Sequence, residues 1–277
     1  KLMCLVGGCE EKIDTTDIES IHRYDQGLDF LSIGNIGLRG YNLLFDVEES
    51  AQFSLSRMIG TKLFLSKEYD VTRPLTDVRY IIGSKGEQVL NILHTQNVSE
   101  RANFSLGYDK VKSTGFYLNQ ASNNNHMYGN IWFKDKSERY KLSLNLDHER
   151  IFNEHNGGIE EDSLFEQDLL LNRNRELLEV SLNDASSTIQ RNKLDVNQSF
   201  TLFKNLDSLG KGVENKVQLN VFATSNSRVF KDTLLNEDYY YQILLDSIKT
   251  NDEINYNDIN ATLKYEFISS KNAYAYF

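Results

Sequence analysis

Tyr140-Lys-Leu-Ser-Leu-Asn-Leu-Asp-His148 alternates without a break. One side carries Tyr140, Leu142, Leu144, Leu146 and His148; the other carries Lys141, Ser143, Asn145 and Asp147. Successive side chains of an extended chain point to opposite sides, so this period of two predicts a strand with one apolar and one polar face. The pattern recurs. Ala102, Phe104, Leu106 and Tyr108 alternate with Asn103, Ser105, Gly107 and Asp109. Ile259, Ala261, Leu263, Tyr265 and Phe267 alternate with Asn260, Thr262, Lys264 and Glu266. Leu178, Val180 and Leu182 repeat it, as do Val217, Leu219, Val221 and Ala223. Less regular strands fit 76–83, 87–96, 126–134 and 190–203, giving about nine or ten in all. Helical periodicity is confined to 164–171 and 239–249, either of which also reads as loop.

Composition agrees with an all-β chain. Of 277 residues, 40% are apolar, and 40 acidic against 30 basic residues leave a formal charge of -10. There are 28 asparagines, 15 Tyr and 15 Phe, but one proline (Pro74) and one tryptophan (Trp132). Such a chain suits strands joined by polar turns. An acidic chain lacking a dense Lys/Arg stripe carries no footprint for nucleic acid. No apolar run reaches the roughly 20 residues of a spanning helix, which excludes a helical membrane protein and leaves a β-barrel open.

Alternation fits a soluble sandwich as well as a membrane barrel. Three features favour the barrel. The alternating runs span about 9–11 residues, enough to cross a bilayer, where globular strands average about 5–6. Tyr108, Tyr140, Tyr265 and Phe267 stand at the ends of apolar faces, where interfacial girdles lie. The short turn Asp135–Glu138 contrasts with the long polar stretches 151–175 and 227–255, the rhythm of short periplasmic turns and long outer loops. The expected fold is an antiparallel, up-and-down transmembrane β-barrel, incomplete in this chain, formed by residues 76–277.

Residues 10–75 alternate poorly and read as a lead-in region, with a first strand at 51–65. Residues 1–9 hold both cysteines, Cys4 and Cys9. They read either as the remnant of a secretory signal, with Val6-Gly-Gly-Cys9 loosely like a lipidation site, or as a buried strand. The start at Lys1 and the end within Ala273-Tyr-Ala-Tyr-Phe277 read as those of a truncated chain.

A succession of motifs, in order, is more specific. These are Gly34-Asn-Ile-Gly37 with Tyr41-Asn-Leu-Leu-Phe45, Tyr69-Asp-Val-Thr-Arg-Pro-Leu-Thr-Asp-Val-Arg-Tyr80 and Gly83-Ser-Lys-Gly-Glu-Gln88. Arg101-Ala-Asn-Phe-Ser-Leu-Gly-Tyr108, the Tyr140–Glu149 strand and Asn153-Glu-His-Asn-Gly-Gly-Ile159 follow. Over roughly residues 30–205 the chain resembles the β-barrel porin family of the Bacteroidota outer membrane. The resemblance implies an outer-membrane barrel, in a Gram-negative bacterium, that passes solutes.

The candidate functional surface is therefore the polar face. If the apolar faces meet lipid through Phe104, Leu106, Leu142, Leu144, Leu146, Leu263 and Tyr265, then Lys141, Asn145, Asp147, Lys264 and Glu266 line the lumen. A small barrel filled by those same side chains would not conduct. Gly34, Gly37 and Gly40 lack the dinucleotide spacing, and the five histidines form no H-x-x-x-H pair. The acidic group Glu160, Glu161, Asp162, Glu166 and Asp168 lacks a calcium-loop spacing and reads as a solvated outer loop. No catalysis, metal or cofactor is expected. The expected partners are outer-membrane lipid and lipopolysaccharide, small polar solutes, and further copies or other outer-membrane proteins. A passive channel is the first functional reading. A non-conducting scaffold acting through its long loops is the second, and a soluble secreted sandwich the third.

Overall fold

Leu144 faces Ile131 on one side and Val196 on the other, while its neighbour Asn145 faces Asn130 and Asp195. Apolar thus meets apolar across three strands and polar meets polar, which fixes the register, because a one-residue slip would exchange the faces. The computed structural model describes residues 10–13, 30–32, 40–42, 59–60, 68–161, 175–206, 212–234, 236, 239–240, 249–269 and 273–276. Five short strands come first: β1 (Glu10–Ile13), β2 (Phe30–Ser32), β3 (Gly40–Asn42), β4 (Ile59–Gly60) and β5 (Glu68–Val71). Nine more follow: β6 (Leu75–Ile82), β7 (Gln88–Ser99), β8 (Ala102–Ser113), β9 (Ser122–Lys134) and β10 (Tyr140–His155), then β11 (Ala185–Leu206), β12 (Gly212–Asp232), β13 (Thr250–Ser269) and β14 (Ala273–Tyr276). Each of these nine pairs antiparallel with its neighbours in sequence, giving one sheet in the order β14 to β6. This is the wall of an up-and-down β-barrel, open between β6 and β14 among the described residues.

The sheet begins at Leu75. Of the strand expected at 51–65, the described part is Ile59–Gly60, which pairs with β3 outside the nine-stranded sheet. Cys4, Cys9, Gly34, Gly37, His22 and most of the acidic group at 160–168 lie outside the described residues, as do 164–171 and 241–248. Glu160 and Glu161 are exposed.

Two expectations are corrected. The strands are longer than a bilayer crossing needs: 16 residues in β10, then 22, 21 and 20 in β11, β12 and β13. They extend into both stretches expected as loops, so that the long connections are 156–184 and 233–249. The extensions are polar, as in Asn251–Asp258, and their ladder pairing comes from β12 rather than from an apolar stripe. Leu178, Val180 and Leu182 do not form a strand either. Apart from an isolated bridge between Val180 and Ile159, this segment is loop, and all three side chains are buried in it.

The links alternate along the wall. On one rim lie the short links β7–β8, β9–β10, β11–β12 and β13–β14. On the other lie β6–β7, β8–β9 and the two long connections. The β6–β7 hairpin turns through Lys85 and Gly86, both at positive φ (54° and 67°), with Glu87 N donating to Ser84 O at 3.1 Å. Two consecutive left-handed residues make the hairpin turn whose twist matches the flanking strands, and Gly86 supplies the second without strain.

The long-loop rim is packed into a cap. Asn119 Nδ2 donates to the carbonyl oxygens of His155 (2.7 Å), Leu182 (3.2 Å) and Ala185 (3.2 Å), tying the β8–β9 link to the base of the β10–β11 loop. Lys85 Nζ meets Glu176 Oε1 at 2.6 Å, and the Arg175 guanidinium lies 5.7 Å from the Tyr117 ring centroid. Asn236 Nδ2 donates to Ser181 O at 3.1 Å, bringing the β12–β13 connection onto the same cluster. Leu178, Val180 and Leu182 are all buried in this region.

Candidate functional site: the polar face of the wall

Side chains on the two faces of the wall are sorted against the usual rule for a water-soluble protein. Thr95 and Ser105 are 0% exposed and Asn130 and Ser143 1%, whereas Leu106 is 58% exposed, Ile131 56% and Leu146 52%. A sandwich would bury that apolar face under a second sheet. Here it lies open, and the soluble-sandwich expectation is set aside.

On the apolar face the register assembles level rows. Leu106, Gly129, Leu146, Leu194, Ala223 and Ile259 form one row across β8 to β13. Phe104, Ile131, Leu144, Val196, Val221 and Ala261 form the next toward the short-link rim. Leu142 joins Phe133, Leu219 and Leu263 in a third, and Tyr140, Phe200, Val217 and Tyr265 close the belt. Two rows above Leu146, toward the cap, the belt has ended at one height across the sheet: Lys110, Asn125, Arg150, Gln190, Ser227 and Asn255. His148, at the apolar face's edge, is exposed and bonds through Nδ1 to Asn192 Oδ1 at 2.7 Å. Tyr140 to His148 is nine residues, roughly 27 Å of strand at about 3.4 Å per residue, the scale of a bilayer core.

The polar face also reads in rows. Thr95, Ser105, Asn130, Asn145 and Asp195 lie side by side on five strands. Ser105 Oγ donates to Thr95 Oγ1 at 2.9 Å, and Asn130 Nδ2 donates to Asn145 Oδ1 at 2.6 Å. Toward the short-link rim, Asn103 Nδ2 donates to Asn97 Oδ1 at 2.6 Å. Toward the cap, Asp109, His126, Glu149, Arg191 and Asn226 form a charged row. His126 Nδ1 lies 3.4 Å from Asp109 Oδ2 and its Nε2 lies 3.1 Å from Asp147 Oδ1, so one imidazole bridges two strands' carboxylates. Arg191 Nη1 donates to Glu149 Oε2 at 3.0 Å and Arg191 Nε to Asn226 Oδ1 at 3.1 Å. Lys193 Nζ stands 3.4 Å from Asp195 Oδ2. Gly107 belongs to this face because the Tyr128 ring crosses it: a Cβ there would fall on the ring.

The five residues expected to line a lumen all lie on this polar face. Lys141 pairs with Glu68 Oε2 at 2.7 Å, Asn145 accepts from Asn130, and Asp147 faces His126. Lys264 and Glu266, two apart on β13, pair with each other at 2.7 Å. Phe104, Leu106, Leu142, Leu144, Leu146, Leu263 and Tyr265 lie on the opposite face. The register brings Asn145 and Asp147 into the central network; Lys141 lies near the short-link rim, and Lys264 and Glu266 lie apart on β13. Sequence reading missed His126, Glu149 and Arg191, whose partners stand on neighbouring strands. His126 does share the parity of Tyr128, Asn130 and Trp132 within β9.

It also missed β5. This strand pairs in parallel with β1 and reaches the wall through polar-face residues. Trp132 Nε1 donates to Tyr69 O at 2.8 Å, Asn97 Nδ2 donates to Asp70 Oδ1 at 2.8 Å, and Val71 N donates to Asn97 Oδ1 at 3.3 Å. Tyr69 and Val71 pack with Leu93 and Tyr128.

No curated protein and no solved structure matches the chain. The profile of a family described as "Putative porin" matches residues 11–277, nearly the whole sequence. The up-and-down barrel wall, with its exposed apolar belt and buried polar face, is the structural counterpart of that match, and the chain belongs to this porin family.

Proposed function

We propose that this protein is an outer-membrane channel of a Gram-negative bacterium, through which small polar solutes diffuse passively, with no catalytic step. The observation that carries the reading is the inverted burial of the wall. An exposed apolar belt that ends at one height suits a lipid surround, since lipid leaves no reason to hide Leu106 or Ile131. A face of Asn, Ser, Thr and paired charges suits a hydrated lumen, where such groups replace part of a solute's water shell. Buried acceptors such as Glu149 Oε1, Asn130 Oδ1 and Asn153 Oδ1, which have no protein donor among the described residues, also fit a wet interior. Lys141, Asn145, Asp147, Lys264 and Glu266 are then lumenal, and the belt residues face lipid. Planar-bilayer recording on the complete protein tests this: discrete, ohmic conductance steps are expected, and a barrel that inserts without ever conducting would overturn the proposal.

The packed cap favours a second reading, a non-conducting scaffold that holds another outer-membrane protein. It predicts a stoichiometric partner in pull-downs, lost on deleting 156–184 while the wall still inserts.

A further inference from the structure

We propose that Glu68–Val71 is a constriction strap, fixed against the lumenal side of the wall at the level of Trp132, which narrows the passage and sets what passes. The inference rests on the channel reading and goes beyond it. Four contacts locate the strap on the polar face: Glu68 to Lys141 on β10, Tyr69 O to Trp132 on β9, and Asp70 and Val71 N to Asn97 on β7. They span four adjacent strands, so the strap crosses the wall rather than continuing it as a tenth strand.

Its own pairing does not hold it there. A parallel pair of four residues per strand is too short to be stable by itself. The wall supplies the rest: an ion pair with Glu68 nearly buried, an indole hydrogen bond, a bidentate use of the Asn97 amide, and the apolar contact of Tyr69 and Val71 with Leu93 and Tyr128. Asn97 is in turn held by Asn103 Nδ2 at 2.6 Å, so the seat is built before the strap reaches it. Pro74 governs the exit. Its ring fixes φ and biases Arg73 toward an extended conformation, which directs the chain from the strap into β6 at Leu75.

The strap adds two carboxylates, Glu68 and Asp70, to the lumen beside Lys141 and Lys134, whose ammonium lies 4.8 Å from the Trp132 ring centroid. Displacing it would widen the passage and take the Glu68 carboxylate away from Lys141. Selectivity would then shift toward anions.

Trp132 gives a readout that does not depend on conduction. It is the chain's one tryptophan, it is 2% exposed, and it bonds the strap backbone. The full-length protein with Glu68→Lys and Asp70→Lys replaces both attractive contacts with unfavourable ones and leaves every wall residue in place. Acrylamide quenching of Trp132 is expected to rise roughly twofold or more as the strap lifts. Single-channel conductance is expected to rise roughly twofold, with reversal potentials in a salt gradient moving toward anion preference. The exchange Glu68→Lys with Lys141→Glu rebuilds the ion pair and is expected to restore wild-type quenching and conductance. A silent wild type whose double variant conducts would also support the strap. Conduction by both with equal conductance would overturn it, whether or not Trp132 becomes quenchable. If neither conducts while Trp132 becomes exposed, the strap is seated as described but the channel reading fails, and the constriction falls with it.

Discussion

The wall and the cap sort their residues by opposite rules. In the wall, Ser105 and Asn130 are hidden and Leu106 and Leu146 are open; in the cap, Leu178, Val180 and Leu182 are hidden beneath polar loops. One chain cannot obey both rules in one solvent. The cap is a small ordinary core for water, held by hydrogen bonds such as those of Asn119 and closed by the salt bridge Lys85–Glu176. The wall below it is built for a surround that does not penalise exposed leucine. The change of rule falls at the row Lys110–Asn125–Arg150–Gln190–Ser227–Asn255, which therefore marks the outer edge of the apolar belt.

Substitution in the cap is the largest way to break that contrast. Val180 is 1% exposed, so Val180→Asp, which buries a carboxylate there, should cost about 4 kcal/mol locally. Limited proteolysis should then cut within 175–184 while the strands remain protected in the membrane. Loss of wall protection as well would mean that cap and wall are one cooperative unit and that the contrast is only geometric.

Next in size is the belt. Leu144→Arg should destabilise the membrane-inserted barrel by about 2–4 kcal/mol, because Leu144 stands midway between Tyr140 and His148, whereas Gln190→Arg, on the same face but above the belt, should cost about 0–1 kcal/mol. Denaturant unfolding from lipid vesicles measures both. Equal costs would place Leu144 in water.

On the polar face the expected effect is smaller. Thr95 Oγ1 accepts from Ser105 at 2.9 Å and Asn103 at 3.1 Å. Thr95→Val keeps the shape but removes the acceptor of an Asn103 amide hydrogen and leaves Ser105 only Asn103 Oδ1, at 3.0 Å, at about 1–3 kcal/mol in the same unfolding measurement. A neutral outcome would show that lumenal water takes over the donors, which would sharpen the view of that face as wet.

How much of this was legible follows from what each region asks of its residues. The faces of β8, β10 and the C-terminal part of β13 could be read because, on the channel reading proposed above, lipid demands apolar side chains at every second position, and period two is then visible in Phe104–Leu106–Tyr108 or Leu142–Leu144–Leu146. The extensions of β12 and β13 beyond the belt could not, since water on both faces removes the demand and leaves runs such as Asn255–Asp258 that look like loop. Leu178, Val180 and Leu182 imitated a strand because a loop core also spaces its buried residues, and spacing alone does not say whether a ladder partner exists. His126 needed the register: Asp109 and Asp147 are 17 and 21 residues away and meet it only once β8, β9 and β10 are aligned. β5 was hidden for a related reason. Its partners stand on the inner face of distant strands, so nothing in Glu68-Tyr-Asp-Val71 signals them.

The smallest expected effect lies at the other end of the wall, in the tight turn between β9 and β10. Asp135 accepts there from the Ser137 hydroxyl at 2.5 Å and from Tyr140 N at 3.0 Å, bonds that hold its carboxyl below the usual carboxylate range, the Ser137 bond foremost. The turn is closed by Glu138 N to Asp135 O at 3.1 Å, with Glu138 itself at φ 53°. A carboxyl depressed on folding contributes stability that is present above its unfolded pKa of about 3.9 and is lost as pH falls through the lower folded value. Wild type and Asp135→Asn should thus differ slightly in unfolding midpoint near neutral pH and converge as pH falls through the lowered folded value. Asp135 lies in a surface turn, so solvent screens the effect and keeps it small, as befits a rim that lies in water. A large difference at neutral pH would instead put this turn out of water, and the lower boundary of the belt would have to move beyond Asp135.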